Sequence, residues 1–157
     1  MGADRLWIMV DVETSGPIYG HHALLELGAA VGSRTRGTLS TFSALIKPTS
    51  EHVVQSRQTF ADASERGEAP REAMTRFAAF AKPYLDERAT FVARPAAFDW
   101  PWIVYYAWTF LGANPFGFKA VCASSWFDAR GKRFRVELPH VAEKDAAIQL
   151  EHFLAHG

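Results

Sequence analysis

Apolar and polar positions alternate near the N terminus in a way that predicts three strands. Residues 6–12, 22–32 and 37–48 are rich in side chains that favour strands, and the turn-like SRTRG joins the second run to the third. Strands this close in sequence can pair through short turns. We therefore predict that the first three strands are antiparallel neighbours in one sheet.

The remainder of the chain alternates between helical and strand patterns. A polar, irregular segment over residues 49–70 precedes a helix over residues 71–85, whose apolar residues recur at helical spacing and which Pro83 ends. A strand over residues 89–93 follows, then a helix that begins near Asp99 and reaches about residue 111. Residues 119–125 predict a strand and residues 143–155 a terminal helix. This order predicts a single α/β domain over residues 1–157, with a mixed central sheet flanked by helices.

Composition narrows the class of protein but does not identify a partner. A hydrophobic fraction of 48% favours a folded protein, and 17 basic residues balance 17 acidic ones, so net charge gives no sign of a polyanionic partner. The single cysteine excludes an internal disulfide and fits a reducing compartment, so we expect a cytoplasmic protein. No signal-peptide pattern or membrane-spanning apolar stretch is found, and we expect no membrane partner.

Two carboxylates interrupt the first predicted strand, in the sequence VDVETSG. Side chains alternate between the faces of a strand, so Asp11 and Glu13 point to the same side. Two carboxylates held side by side near a core repel each other and lose hydration. This arrangement is unfavourable unless a cation lies between them.

Three further residues are candidates for the same chemistry. Asp99 lies at the start of a predicted helix, where an N-cap role is an equal alternative. Asp145 lies on the terminal helix, five residues after His140. Taken singly, a solvated helical aspartate and a loop histidine are the simpler interpretations.

Taken together, these residues resemble the motifs of the DEDDh 3′–5′ exonucleases. VDVETSGP is similar to the first motif of that family, AAFDWPWI to the second and HVAEKDA to the third, in the same order and on matching elements. The resemblance covers residues 7–154 and implies a ribonuclease H-like fold. It departs from the family at Arg94 and Pro95, where many relatives carry His-Asn, in a short spacing from Asp99 to His140, and in the serines of CASSW.

The resemblance implies a mechanism with two Mg²⁺ ions, for which Mn²⁺ would substitute, roughly 4 Å apart. Asp11 would bridge both ions, Glu13 and Asp145 would complete one site, and Asp99 would serve the other mostly through water. His140 would deprotonate the attacking water, a task for a side chain type that titrates near neutrality. The metals would then separate the charges of Asp11 and Glu13.

Residues that would contact the substrate are predicted at the exit of the first strand and in the second motif. Thr14, Ser15 and Gly16 would lie under the terminal nucleotide and offer it backbone amides. Phe98 and Trp102 are the aromatic candidates for substrate binding, with packing in the core as the alternative. The basic segment from Arg130 to Arg135 either grips the phosphates of an incoming strand or is a solvated loop.

The sequence therefore predicts a metal-dependent 3′–5′ exonuclease that releases nucleoside monophosphates from single-stranded 3′ ends, with RNA favoured over DNA. An exodeoxyribonuclease, a catalytically silent nucleic-acid-binding module and an endonuclease of the same fold are the alternatives. Small relatives such as ribonuclease T form dimers, so a homodimer is a candidate assembly.

Overall fold

The computed structural model describes residues 4–157. Within this range the strands are β1 (Trp7–Thr14), β2 (Leu24–Ser33), β3 (Gly37–Leu45), β4 (Thr90–Ala93) and β5 (Ala120–Cys122). The helices are α1 (Arg57–Arg66), α2 (Pro70–Asp86), α3 (Ala96–Tyr106), α4 (Ala123–Asp128) and α5 (Ala142–His156), and a π-helical turn (Ala107–Leu111) extends α3.

The strands form one mixed sheet in the order β3-β2-β1-β4-β5. β2 is antiparallel to both β1 and β3, whereas β4 is parallel to β1 and β5 is parallel to β4. The parallel pairs need long crossover connections, and helices supply part of each connection. The predicted mixed α/β class, with its three antiparallel N-terminal strands, is confirmed.

The central strand β1 is buried on both faces, by different helices. The even-numbered residues from Leu6 to Val12 pack in a core with residues of α2 and α3. Trp7 and Met9, on the opposite face, pack with residues of α4 and α5. Because side chains alternate along a strand, Asp11 and Glu13 continue the face that α5 covers.

Small side chains on β2 allow α5 to lie directly on the sheet. A Cβ atom on Gly28 would lie 2.0 Å from the carbonyl carbon of Ala142, at the first turn of α5. Ala30, two residues further on the same face, is fully buried in the core beneath this helix. The approach at Gly28 brings the N-terminal turn of α5 close to the end of β1.

Two predictions about the helical segments are wrong. Residues 49–70 contain α1, which was not predicted because Ala63 is its one fully buried residue and leaves no clear apolar period. Pro83 does not end α2, which continues to Asp86. The carbonyl group that proline cannot bond is that of Ala79, on the exposed side of the helix, where water is available to it.

Two further boundaries differ from the prediction. Pro95 is the N-cap of α3, and Asp99 lies inside the first turn. The strand predicted over residues 119–125 pairs only from Ala120 to Cys122, because its partner β4 has just four residues, and the chain then turns into α4. None of the helices in residues 4–157 has the length and apolar composition needed to cross a membrane.

Candidate active site

Two carboxylates project from the C-terminal half of β1 towards α5. Asp11 is 8% exposed and Glu13 is half-buried. Apolar residues hold the strand from both faces before this point, so the position of the pair is fixed by the core. The predicted placement of both side chains on one face is therefore present in the structure.

Asp99 reaches the same strand from α3. Its Oδ1 atom accepts a hydrogen bond of 3.1 Å from the backbone amide of Val12, between Asp11 and Glu13. β4 pairs with β1 only as far as Val10, so beyond this point the strand needs another hydrogen-bond acceptor. Asp99 supplies it and is buried, which places its second carboxylate oxygen beside the end of β1.

Asp145 comes from the first turns of α5. The side chain is 1% exposed, and its Oδ1 atom is buried without a hydrogen-bond partner in the described part of the chain. Its carboxylate lies near Glu13, and one ligand atom each of Glu13, Asp145 and His140 lie within 4.8 Å of one another. An orphaned buried carboxylate oxygen is the kind of atom that a bound cation satisfies.

His140 differs from the four carboxylate residues of the cluster because it is exposed. Its Nδ1 atom is 4.0 Å from Oε1 of Glu13, while 82% of its side chain remains accessible. The backbone has a left-handed conformation, with φ of 58°, just before α5 begins. The ring therefore stands at the solvent side of the carboxylates.

Burial raises the pKa of each carboxyl group in this cluster. For Asp11 the pKa rises from 3.8 to about 7, because burial disfavours its charged form, and a hydrogen bond from Gln149 only partly opposes this. Burial also raises the pKa of Asp99 well above 3.8, and repulsion from Asp11 adds to the effect. Burial is likewise the largest cause of the raised pKa of Glu13 and of Asp145.

The carboxylates of this cluster are not neutralised by basic side chains of residues 4–157. Within residues 4–157, no lysine or arginine forms an ion pair with Asp11, Glu13, Asp99 or Asp145. Carboxylates that no basic side chain of residues 4–157 neutralises are oxygen donors of the kind that suits Mg²⁺ or Mn²⁺, and Glu13, Asp145 and His140 lie close enough together to share one ion. The residues present therefore fit divalent metal ions.

The predicted substrate-binding residues have different environments. Thr14 and Ser15 are buried and bonded within the protein: Thr14 Oγ1 donates to the carbonyl of Gly16, and Ser15 Oγ donates to that of His52. The Ser15 amide donates to the carbonyl of Ala23. Contrary to the prediction, this amide is therefore not available to a nucleotide.

Gly16 supports this turn by its lack of a side chain. A Cβ atom there would lie 2.1 Å from the imidazole ring of His22. Together these contacts show that residues 14–16 shape the loop after β1 through internal contacts.

The two aromatic candidates for substrate binding differ in their exposure. Trp102 has no exposed surface and is part of the core between the sheet and α3, so stacking on a base is ruled out in this conformation. Phe98 is half-buried at the edge of that core, one residue before Asp99. Phe98 therefore remains a candidate for contact with the substrate.

The basic segment from Arg130 to Arg135 is partly engaged in internal contacts. Arg130 donates to the carbonyl of Trp126 and lies over its ring, and Lys132 donates to the carbonyl of His156. Phe134 is buried against α4 and α5 and anchors the segment. The other two cations, Arg133 and Arg135, are exposed.

Sequence reasoning missed two residues of the site. Glu26, opposite Glu13 in the register of β1 with β2, accepts a hydrogen bond of 3.2 Å from the Ala142 amide at the start of α5. Gln149 donates to Oδ1 of Asp11 at 2.8 Å. The sequence did carry a signal for Gln149. It lies one helical turn after Asp145, and the buried residues that follow it on the same face of α5 are apolar.

The chain has a relative of known type. It is 35% identical over 130 residues to the 3′–5′ DNA exonuclease Cap18 of Escherichia coli, and the aligned part covers 78% of this chain and 68% of the relative. No protein-family model matches the chain.

Solved structures share the fold at low sequence identity. E. coli exonuclease I in complex with a 5cy-dA13 oligonucleotide has a TM-score of 0.70 and 11% identity, over 96% of this chain and 39% of that one. A moderately thermophilic exonuclease I from Methylocaldum szegediense has a TM-score of 0.67 and 13% identity, over 96% and 40% of the two chains. The chain thus spans about 40% of the length of exonuclease I.

These similarities confirm the predicted nuclease fold. With 35% identity to a 3′–5′ exonuclease over most of its length, the chain belongs to the DEDDh-type 3′–5′ exonuclease family.

Proposed function

We propose that this protein is a metal-dependent 3′–5′ exonuclease that acts on single-stranded DNA and releases nucleoside monophosphates. The observation that carries the proposal is the meeting of three separate elements, β1, α3 and the start of α5, at one end of the sheet. They contribute four carboxylates with raised pKa, and the exposed His140 lies just before α5. No lysine or arginine of residues 4–157 forms an ion pair with these carboxylates.

The four carboxylates would hold two divalent cations, with Mg²⁺ or Mn²⁺ as the ions that suit oxygen ligands. Asp11, whose carboxylate is repelled by those of Asp145 and Glu13, would contact both ions, and Glu13, Asp99 and Asp145 would complete the two sites. When bound, the ions would polarise the scissile phosphate and offset the charge of the transition state.

His140 would act as the general base. Its ring lies at the solvent side of the cluster, where a water molecule can approach the phosphorus atom and pass its proton to the imidazole. Glu13, whose Oε1 atom is 4.0 Å from Nδ1, would then stabilise the imidazolium. The P–O bond to the penultimate nucleotide breaks, and that 3′ oxygen leaves and takes up a proton from solvent.

DNA is the proposed substrate, in place of the RNA that the sequence alone favoured. The E. coli relative is named a DNA exonuclease, and exonuclease I of the same fold has been crystallised with deoxyoligonucleotides. Neither the relative nor the structures offer comparable support for RNA. We therefore propose the exodeoxyribonuclease alternative.

The test compares 5′-labelled DNA and RNA oligonucleotides of one sequence, each with Mg²⁺, Mn²⁺ or EDTA. We expect a one-nucleotide ladder on DNA that EDTA abolishes, and a slower ladder on RNA. His140→Ala should slow the ladder, whereas Asp86→Asn, an exposed substitution at the end of α2, should not.

Three other outcomes would contradict the proposal. Internal cuts without a ladder would indicate an endonuclease. Binding without cleavage in either metal would indicate a silent binding module. Faster degradation of RNA than of DNA would indicate that RNA is the substrate, as the sequence alone favoured.

A further inference from the structure

Gln149 is a buried polar residue that the proposed reaction does not yet use. It has no exposed surface and lies on the inward face of α5, one turn after Asp145. Its neighbours on this face, Ala146, Leu150 and Phe153, are apolar and belong to the core beneath α5. An apolar side chain would fill such a position without the loss of hydration that an amide suffers. Burial of the amide is therefore unfavourable unless its hydrogen bonds compensate for this loss.

The hydrogen bond to Asp11 gives Gln149 a defined orientation. Nε2 donates to Oδ1 of Asp11 at 2.8 Å, across 138 positions of sequence. Oε1 of the same amide is buried without a partner in residues 4–157. A purely structural amide would be expected to satisfy both of its ends, whereas here only the end that faces Asp11 is bonded.

The bond also constrains Asp11. The carboxylate stands on the last part of β1 with like charges around it and, in residues 4–157, no ion pair to a basic side chain. One oxygen held by a buried amide leaves the other available and limits rotation of the carboxylate plane. Partners of this kind orient metal ligands, and their loss typically costs 10–100-fold in metal affinity or activity.

We propose that Gln149 is a positioning residue, whose amide holds the Asp11 carboxylate in the orientation that receives divalent cations. This inference rests on the proposed metal-dependent function. It assigns to α5 two roles, since the helix supplies Asp145 as a candidate ligand and, one turn later, the group that orients Asp11. The amide itself touches neither substrate nor, in this proposal, metal.

The test is Gln149→Met, which keeps the length of the side chain and removes the donor. Mn²⁺ binding to the metal-stripped protein is measured by calorimetry, and kcat and KM on a single-stranded DNA oligonucleotide are measured across Mn²⁺ concentrations. We expect Mn²⁺ affinity to fall by about 10–100-fold. We also expect kcat to recover partly at high Mn²⁺, with KM for DNA nearly unchanged, because DNA does not contact the amide.

Leu150→Met is the matched control. It alters the adjacent buried position on α5, with similar volume and no amide in either side chain, and should leave Mn²⁺ affinity unchanged. Circular dichroism and thermal melting without metal verify that each variant folds. If Gln149→Met does not fold, Gln149→Leu serves in its place, since it also lacks the donor and suits an apolar core.

The outcomes separate this inference from the proposed function. A wild-type protein that binds no Mn²⁺ and cleaves nothing overturns both. A wild-type protein that binds and cleaves, with a folded Gln149 variant of equal Mn²⁺ affinity, overturns the positioning role alone. An equal loss of affinity in Leu150→Met also overturns it, because the effect would then belong to packing of the helix.

Discussion

Replacing Asp11 by asparagine should stabilise the metal-free protein while removing its response to metal. Burial raises the pKa of Asp11 from 3.8 to about 7. Between these two values the folded protein holds a proton that the unfolded chain has lost, so the free energy of unfolding falls as pH rises through this window. Above about pH 7 the loss is complete.

The magnitude follows from the same pKa. A rise from 3.8 to about 7 corresponds to roughly 4 kcal/mol of stability lost at pH 8. Asparagine carries no charge to bury and can still accept the hydrogen bond from Gln149. For a chain of this length each kcal/mol shifts Tm by about 2–4 °C, so we expect Asp11→Asn to melt roughly 10 °C higher in EDTA at pH 8. At about pH 5 less than half of the difference should remain.

Thermal melting by circular dichroism, in EDTA and in Mn²⁺, measures these effects. Mn²⁺ should raise the Tm of the wild type, because a ligand that binds only the folded state stabilises it, and should leave Asp11→Asn nearly unchanged. Asp86→Asn, exposed and paired with Lys82, should follow the wild type under every condition. A Tm of Asp11→Asn at or below that of the wild type in EDTA at pH 8 would show that burial of the Asp11 charge does not destabilise the protein. A rise of Tm with Mn²⁺ as large as that of the wild type would show that Asp11 is not needed for metal binding.

Three further predictions concern the surroundings of this carboxylate. His140→Ala should lower kcat by about 10²–10⁴-fold and leave the rise of Tm with Mn²⁺ intact, and a lost Tm response would instead make His140 a metal ligand. Gly28→Ala should cost about 1–3 kcal/mol in urea unfolding, since its Cβ meets the backbone of Ala142, and an unchanged midpoint would contradict that contact. Glu26→Ala should cost about 1 kcal/mol by removing the acceptor at the start of α5, whereas Glu26→Gln should retain most of the stability, as the same unfolding experiment can show.

Features that depend on local spacing could be predicted from the sequence. The two-residue period of β1 placed Asp11 and Glu13 on one face, and the structure has them there because the strand is buried on both sides. The mixed sheet with its antiparallel N-terminal strands also follows from local patterns and short connections. The order of the motifs was sufficient to indicate the family before any contact was known.

The residues that support the site could not be predicted, because their contacts form between elements that are distant in sequence. Asp99 has the sequence signature of a helix cap, yet its carboxylate bonds the Val12 amide because β4 stops short of this part of β1. Trp102 is indistinguishable in sequence from a stacking aromatic but is fully enclosed by the core.

Gln149 and Glu26 act across 138 and 116 positions of sequence, respectively. Local spacing carries no information about such distant partners. Their roles arise only when Gly28 lets α5 lie on the sheet, because that contact sets which side chains of the helix meet the end of β1.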